Sequence, residues 1–415
     1  MNPFEEKPQK IEKSFQSWNN VLVSPYDKQT VDPYTRLRVI LMNGTEFESV
    51  RLGHSFTRNC TNNDVRRELA LIRRSEQIQQ KRIASLKPMD ENILEHTIGY
   101  EQLAVDLTAN LAKMEKNDYV RQQLNFALLE DFDHLYRYSD LMELEKSGDP
   151  GRLVGDYTEI MPGRPTVAEY RHPFDDVNFN INSYLNNTLT RLHVNIITAA
   201  EQQTMNYYMN IAGFHPSEIG RRLYSEIAMI EEQHVTEYGS LIDTTCSRLE
   251  CWLMHEYTEC YLYYSCSVDE TDEYIRQIFG KLYLEECGHL RRVAELLMKY
   301  EGKPWQAVFP QGGDFPEPLR FEGNIDYVRE VLAKTINYTR SKEDYAPLKT
   351  LNDNANYFRY QKANVGKAEK LPSHKVIEQH IKKFGTDYRY ETKENPVPEL
   401  RNRKCDNVDV ARKKQ

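Results

Sequence analysis

A carboxylate followed 30 residues later by a carboxylate-x-x-His occurs three times in this chain. The sets are Glu101 with Asp131 and His134, Glu201 with Glu231 and His234, and Glu256 with Glu286 and His289 (131−101, 231−201, 286−256). A helix rises ~1.5 Å per residue, so about 15 residues out and 15 back return the chain to its starting level. The spacing therefore describes a helical hairpin, with one carboxylate on the first helix and a carboxylate–His pair opposite it on the second. Turn formers stand near each midpoint: Asn117-Asp118, Gly213 to Pro216, and the polar run Asp269 to Asp272. Asn, Asp and Gly cap or break helices, and Pro suits a first helical turn.

Chance sets the background. Eleven His and 63 acids in 415 residues give 11 × 63/415, or about 1.7, acid-x-x-His pairs, and the sequence has four. The fourth, Glu169-x-x-His172, lies in a Pro- and Gly-bearing stretch and reads as the chance member. The other three each sit on an apolar stripe of helical period, for example Leu223, Ile227, Glu231, His234 and Tyr238. A carboxylate on the buried face of a helix is costly unless it is paired or ligates a metal. The first two hairpins also match at a constant offset of 100, through Glu101/Glu201, Asn110/Asn210, Arg121/Arg221, His134/His234 and Tyr138/Tyr238. An internal repeat of whole helical hairpins is the expected architecture.

Composition narrows the class. Hydrophobic content of 40% with 28% charged residues fits a water-soluble globular chain. No apolar run approaches the roughly 18 residues of a membrane span, and the N-terminus lacks a signal-peptide pattern, so the cytoplasm is the expected location. Seven Cys without any CxxC argue against a disulfide framework or zinc knuckle. A formal net charge of −9 makes nucleic acid an unsuitable partner for the body of the protein.

Along the chain, residues 1–60 read as an arm with a β-hairpin, in which Arg36 to Met42 and Thr45 to Val50 flank Asn43-Gly44. A basic helix of 61–85, with no ligand pattern, is expected to pack outside the bundle. Three hairpins follow at 91–146, 178–245 and 248–301, the first two joined by a Pro/Gly-rich connector over 147–176. A connection of that length can run the length of a bundle. Residues 302–415 form an extended, basic C-terminal region, with a helix at 324–340 and an amphipathic segment at 373–384. From 340 onward 18 Lys/Arg face 11 Asp/Glu, so this region suits a wrap onto its own acidic body or onto a neighbouring subunit.

One Glu from each of two helices and a Glu-x-x-His from each of two others is the ligand set of di-iron carboxylate bundles. Hard carboxylate oxygens suit Fe and Mn, can bridge two ions and neutralise their charge, and one imidazole per ion completes the set. On these residues the stretch 91–301 resembles the ferritin-like superfamily, which implies an all-α, antiparallel helical bundle with one extra hairpin. The resemblance implies two iron ions (or Mn/Fe) held by Glu101, Asp131, His134, Glu201, Glu231 and His234. Asp131 departs from the Glu of that pattern, and neighbouring Glu130 is a candidate substitute. Glu256, Glu286 and His289 offer a second or alternative site. The implied activity is an oxidoreductase that activates O2 or peroxide, with a small-molecule substrate and an electron donor that the sequence does not name. A homo-oligomer is compatible with it. Metal or peroxide handling without an organic substrate, and a metal-free helical scaffold, stay open as alternatives.

Overall fold

The structure is a computed structural model that describes residues 1–387, 390–402 and 404–413. The chain is predominantly helical. In order the helices are α1 (Pro33–Asn59), α2 (Asn63–Ala84), α3 (Ile93–Met114), α4 (Asp118–Glu145), and the short α5 (Pro150–Val154) and α6 (Thr166–Glu169). Then come α7 (Thr188–Phe214), α8 (Glu218–Gly239), α9 (Arg248–Asp269), α10 (Glu273–Glu301), α11 (Ile325–Thr335), α12 (Asn356–Tyr360) and α13 (Pro372–Phe384). Strands β1 (Tyr338–Ser341) and β2 (Asp344–Pro347) form an antiparallel pair in which Tyr338 faces Pro347 and Ser341 faces Asp344. Among the described residues no helix is long and apolar enough to cross a membrane.

Local chemistry sets the helix starts. Asn62, Asn117, Ser217 and Asp272 each cap the second helix of a hairpin by accepting backbone N–H bonds of its first turn. Each cap stands 14 residues before an acid of the centre of a helix: Glu76, Asp131, Glu231 and Glu286 (76−62, 131−117, 231−217, 286−272). The α1–α2 hairpin therefore repeats the other three, with Glu46 in place 30 residues before Glu76 (76−46) and Gln79 where the others carry His.

The chain divides into two compact units. The first comprises Met1–Asp90, Asn180–Gln203 and Ile242–Phe321. In it α1 pairs with α2 and α9 with α10, while α1 also packs on α9 and α2 on α10. Leu37, Leu41, Ile72, Leu253, Phe279 and Leu282 are among its buried apolar side chains. The expected β-hairpin is absent here: Arg36–Met42 and Thr45–Val50 lie in the single helix α1, started by the Asp32 cap and Pro33. Asn43 and Gly44 stay helical because Gln203 claims them. Asn43 Nδ2 donates to Gln203 Oε1 (2.5 Å), Gln203 Nε2 donates to the Ile40 carbonyl (2.9 Å), and a Cβ on Gly44 would stand 2.7 Å from Gln203 Nε2. Glycine is there for close approach, not for a turn. The basic helix expected at 61–85 is α2, and it is part of this unit's helical core rather than a helix packed outside it.

The second unit comprises Glu91–Phe179, Thr204–Leu241 and Glu322–Gln415. Its axis is α4, buried almost all round and packed on α3, α5, α6, α8, α11 and α13. Val105 and Ala109 of α3, Leu128, Leu129 and Phe132 of α4, and Val331 and Leu332 of α11 share one apolar cluster. The units thus cut across the expected division at 60 and 301, because helices distant in sequence pair with one another. The C-terminal region is not extended; α11 stands in the segment expected to be helical, and α13 covers the segment expected to be amphipathic. Its basic groups find acids in their own unit, as Arg329 does with Glu159 (2.7 and 2.9 Å) and Arg340 with Glu237 (2.9 Å).

The start of α13 is pinned to α8. Glu226 Oε2 accepts from the Ser373 N–H (2.7 Å) and hydroxyl (3.0 Å). Burial pushes the Glu226 carboxyl up to about 7. Its folded value lies above its unfolded one, so the unfolded chain loses its proton first. Stability then falls as pH rises from about 4.5 to about 7, and levels above that. Glu226→Gln should remove this slope, gaining on the parent by about 3 kcal/mol between pH 4.5 and 8. Urea unfolding across that range checks it; parallel profiles for the two proteins would count against it.

Candidate metal centre

In the second unit α3, α4 and α8 bring Glu101, Asp131, His134, Glu231 and His234 together, all of them fully buried. Donor atoms of Glu101, Asp131, His134 and Glu231 lie within 4.8 Å of one another, and so do those of Asp131, Glu231 and His234. The i, i+3 spacing puts each carboxylate and its His on one helix face. Glu231 stands between the rings: Oε1 is 2.9 Å from His134 Nδ1 and Oε2 is 3.4 Å from His234 Nδ1. Asp131 Oδ1 is 3.2 Å from His234 Nδ1, and Glu101 Oε2 is 3.9 Å from His134 Nδ1. The ring centroids are 6.1 Å apart.

The other nitrogen of each ring faces outward, onto a different carboxylate. His134 Nε2 meets Glu169 Oε2 at 3.1 Å, and His234 Nε2 meets Glu130 Oε2 at 2.9 Å. Glu130 in turn accepts from Arg164 (2.6 Å) and Arg171 (2.5 Å). Tyr208 on α7 donates to Glu101 Oε1 at 2.5 Å. The connector supplies Arg164, Glu169 and Arg171, and it approaches α4 closely at Gly163. A Cβ there would meet the Leu129 carbonyl at 2.7 Å and the Asp133 amide at 3.0 Å, backbone that cannot step aside.

Electrostatics divides these acids into two kinds. Burial pushes Glu101 and Asp131 above the usual carboxylate range. Glu169 is likewise pushed by burial, up to about 8. Burial raises Glu130 as well, but Arg171 and Arg164 outweigh it and hold that carboxyl well below its usual value. In Glu231 the burial effect is overcome by the hydrogen bond from His134 and by the neighbouring His234 ring, which hold it at about 2. Burial lowers His134, yet Glu169 and Glu231 more than reverse this and raise the ring well above the usual imidazole range.

The donor set could hold a metal ion. Among the described residues Glu101 Oε2, both oxygens of Asp131, and Glu231 Oε2 accept no hydrogen bond. Such atoms in a dry interior are expensive unless something positive meets them. Three carboxylates and two imidazoles would each offer a lone pair to that space, with Nδ1 deprotonated on binding.

Five of the six residues expected in the main set therefore meet. Glu201 is buried on α7, three residues before the part of that helix that belongs to the second unit. Glu130, the expected alternative to Asp131, faces the outward nitrogen of His234 and the Arg164 and Arg171 guanidiniums. Glu169, set aside in the sequence as a chance pair, is brought to His134, whereas its companion His172 bonds the Phe174 amide at 3.2 Å instead. Its burial within a Pro/Gly-rich segment gives no periodic pattern to read. Glu256, Glu286 and His289 lie in the first unit, where Glu76 joins them. All seven Cys are free thiols. Comparison with protein-family models, with curated proteins and with solved structures returns no match, so the functional reading rests on the geometry of the site itself.

Proposed function

We propose that the second unit holds a dinuclear iron or manganese–iron centre in a ferritin-like helical arrangement, and that the protein is an oxidoreductase acting on O2 or peroxide. The observation that carries this reading is the orientation of the two rings. Both Nδ1 atoms face Glu231, and both Nε2 atoms rest on outer carboxylates. Histidines that ligate metal donate their other N–H to just such partners, which fixes the ring and raises its basicity. Carboxylate-rich donors with one imidazole per ion suit Fe and Mn.

In this reading Glu231 lies between the two positions, Glu101 and His134 line one of them, and Asp131 and His234 the other. The Tyr208 hydroxyl occupies one oxygen of Glu101 and leaves the second free. The buried rings of Tyr138, Tyr208 and Tyr224 keep water from the Glu101 side. When bound, the metal pair would supply the electron transfer to O2 or peroxide that side chains alone do not provide. Complete burial of the donors favours a second reading, in which small oxidants are handled with no organic substrate.

Anaerobic loading with Fe2+ followed by O2 or H2O2, with oxidant consumption and near-ultraviolet absorption recorded, tests the reading. The wild type should consume oxidant at least tenfold faster than Glu231→Ala. Equal rates would refute it. Rapid consumption unaffected by any organic reductant or acceptor would favour the second reading.

A further inference from the structure

The first unit contains a separate group of buried acids that the ring geometry above does not explain. Glu46 on α1, Glu76 on α2, Glu256 and Glu259 on α9, and Glu286 with His289 on α10 are each fully buried. His289 Nδ1 lies 2.9 Å from Glu76 Oε1, 3.1 Å from Glu286 Oε2 and 3.8 Å from Glu256 Oε2. Donor atoms of Glu76, Glu256, Glu286 and His289 stand within 4.8 Å of one another, and so do those of Glu46, Glu76 and Glu259. Glu76 belongs to both sets.

Five carboxylates thus surround a space into which His289 brings one ring nitrogen. The Arg82 guanidinium faces Glu285 (3.6 Å), and the Gln79 amide is turned to Glu285 too (3.4 Å). His255 stands 3.4 Å from Glu259 without making a hydrogen bond. Both oxygens of Glu259, Oε2 of Glu46, Oε2 of Glu256 and Oε1 of Glu286 accept no hydrogen bond among the described residues. The remaining oxygens are pinned from outside: Tyr263 donates to Glu46 Oε1, and Trp252 Nε1 donates to Glu256 Oε1 at 2.5 Å. Each acid so held keeps one lone pair directed inward, the arrangement outer partners give to metal-binding carboxylates.

We propose that the first unit holds its own divalent-cation centre, in which Glu76 is shared between a position lined by Glu256, Glu286 and His289 and an all-carboxylate position lined by Glu46 and Glu259. Hard oxygen donors select a hard ion such as Mn2+ at the second position, while the imidazole suits Mn2+ or Fe2+ at the first. Gln79 is the reason for the asymmetry: a His there would have given each position a ring. The inference uses residues distinct from those of the proposed oxidoreductase centre and stands or falls separately.

Full-length protein stripped by a chelator, titrated with Mn2+ and with the free ion counted by electron paramagnetic resonance, tests it. Glu231→Ala, with the second unit's centre disrupted, should still bind Mn2+ and gain thermal stability from it. On that background Glu259→Gln should lower the stoichiometry by one ion, and Glu76→Gln should weaken binding at least tenfold. Each Glu→Gln change removes a buried negative charge at constant volume, so folding is expected to persist; circular dichroism verifies it. If Glu76→Gln does not fold, the Glu231→Ala titration decides alone. The inference is overturned if Glu231→Ala binds no Mn2+, or if both Gln variants titrate as their parent does. Equal ion counts in wild type and Glu231→Ala would instead defeat the second unit's centre.

Discussion

Glu231→Ala should lower the metal content of the purified protein by two ions per chain while leaving the fold intact. The side chain meets both His134 and His234, one oxygen to each, so no other acid of the second unit can replace it at both positions. Its loss takes away the donor common to the two ions, and what remains on either side is too few ligands to hold a cation in a dry interior. The fold is expected to tolerate the change. His134 keeps Glu169 at 3.1 Å and His234 keeps Glu130 at 2.9 Å, so neither ring is left without an acid. Elemental analysis alongside circular dichroism reads both halves. An unchanged metal count in folded Glu231→Ala protein would remove the basis for a centre at this place.

Arg171→Met should destabilise the protein by about 3–5 kcal/mol at neutral pH, the cost of leaving buried charge without its partner. The guanidinium serves Glu130 (2.5 Å), Asp176 (2.8 Å) and Glu237 (3.4 Å), and it lies over the Phe126 ring at 5.1 Å. Methionine keeps the packing and removes the charge. Glu130 is held below its usual value by Arg171 and Arg164 acting against burial, so it adds stability above about pH 4.5 and loses it as pH falls. The deficit of the variant should therefore begin to shrink as pH falls below about 4.5, where the unfolded chain takes up a proton that Glu130 of the folded wild type does not. Because Glu130 also steadies His234, metal affinity should fall by roughly 10–100-fold. Denaturant unfolding at pH 7 and pH 4 is the measurement. A loss under 1 kcal/mol at pH 7 would show that Arg164 alone suffices.

Much of this was legible in the residues, and the failures have particular causes. The helices expected at 118–146 and 271–301 are found at Asp118–Glu145 and Glu273–Glu301, because Asn117 and Asp272 cap them and Gly302, at φ 66°, ends the second. The helix expected to start at 178 begins at Thr188, since Asn182 draws the Tyr184 and Leu185 amides into a turn first and Asn187 accepts the Thr190 N–H of the helix's own first turn. Asn43-Gly44 misled as a hairpin signal, because the Gln203 contact that explains the glycine comes from 160 residues away. Glu76 lies outside the acid-x-x-His pattern because Gln79 stands where the other hairpins carry His. Arg164 and Arg171 sit on irregular backbone and Glu169 ends the four-residue α6, too short to leave a period in the sequence, so only the folded chain reveals their partners.

The fixed distance from cap to acid has a consequence for how such a chain can change. One residue added between Asn117 and Asp131 would swing every later side chain of α4 by about 100° and advance it ~1.5 Å. Asp131 and His134 would then face away from Glu231. The identity of the cap is free to drift among Asn, Ser and Asp, as the four hairpins already display, whereas insertions and deletions within these segments are shut out. Lineages of this chain should accumulate length variation in the connector and the C-terminal region and almost none inside the hairpins.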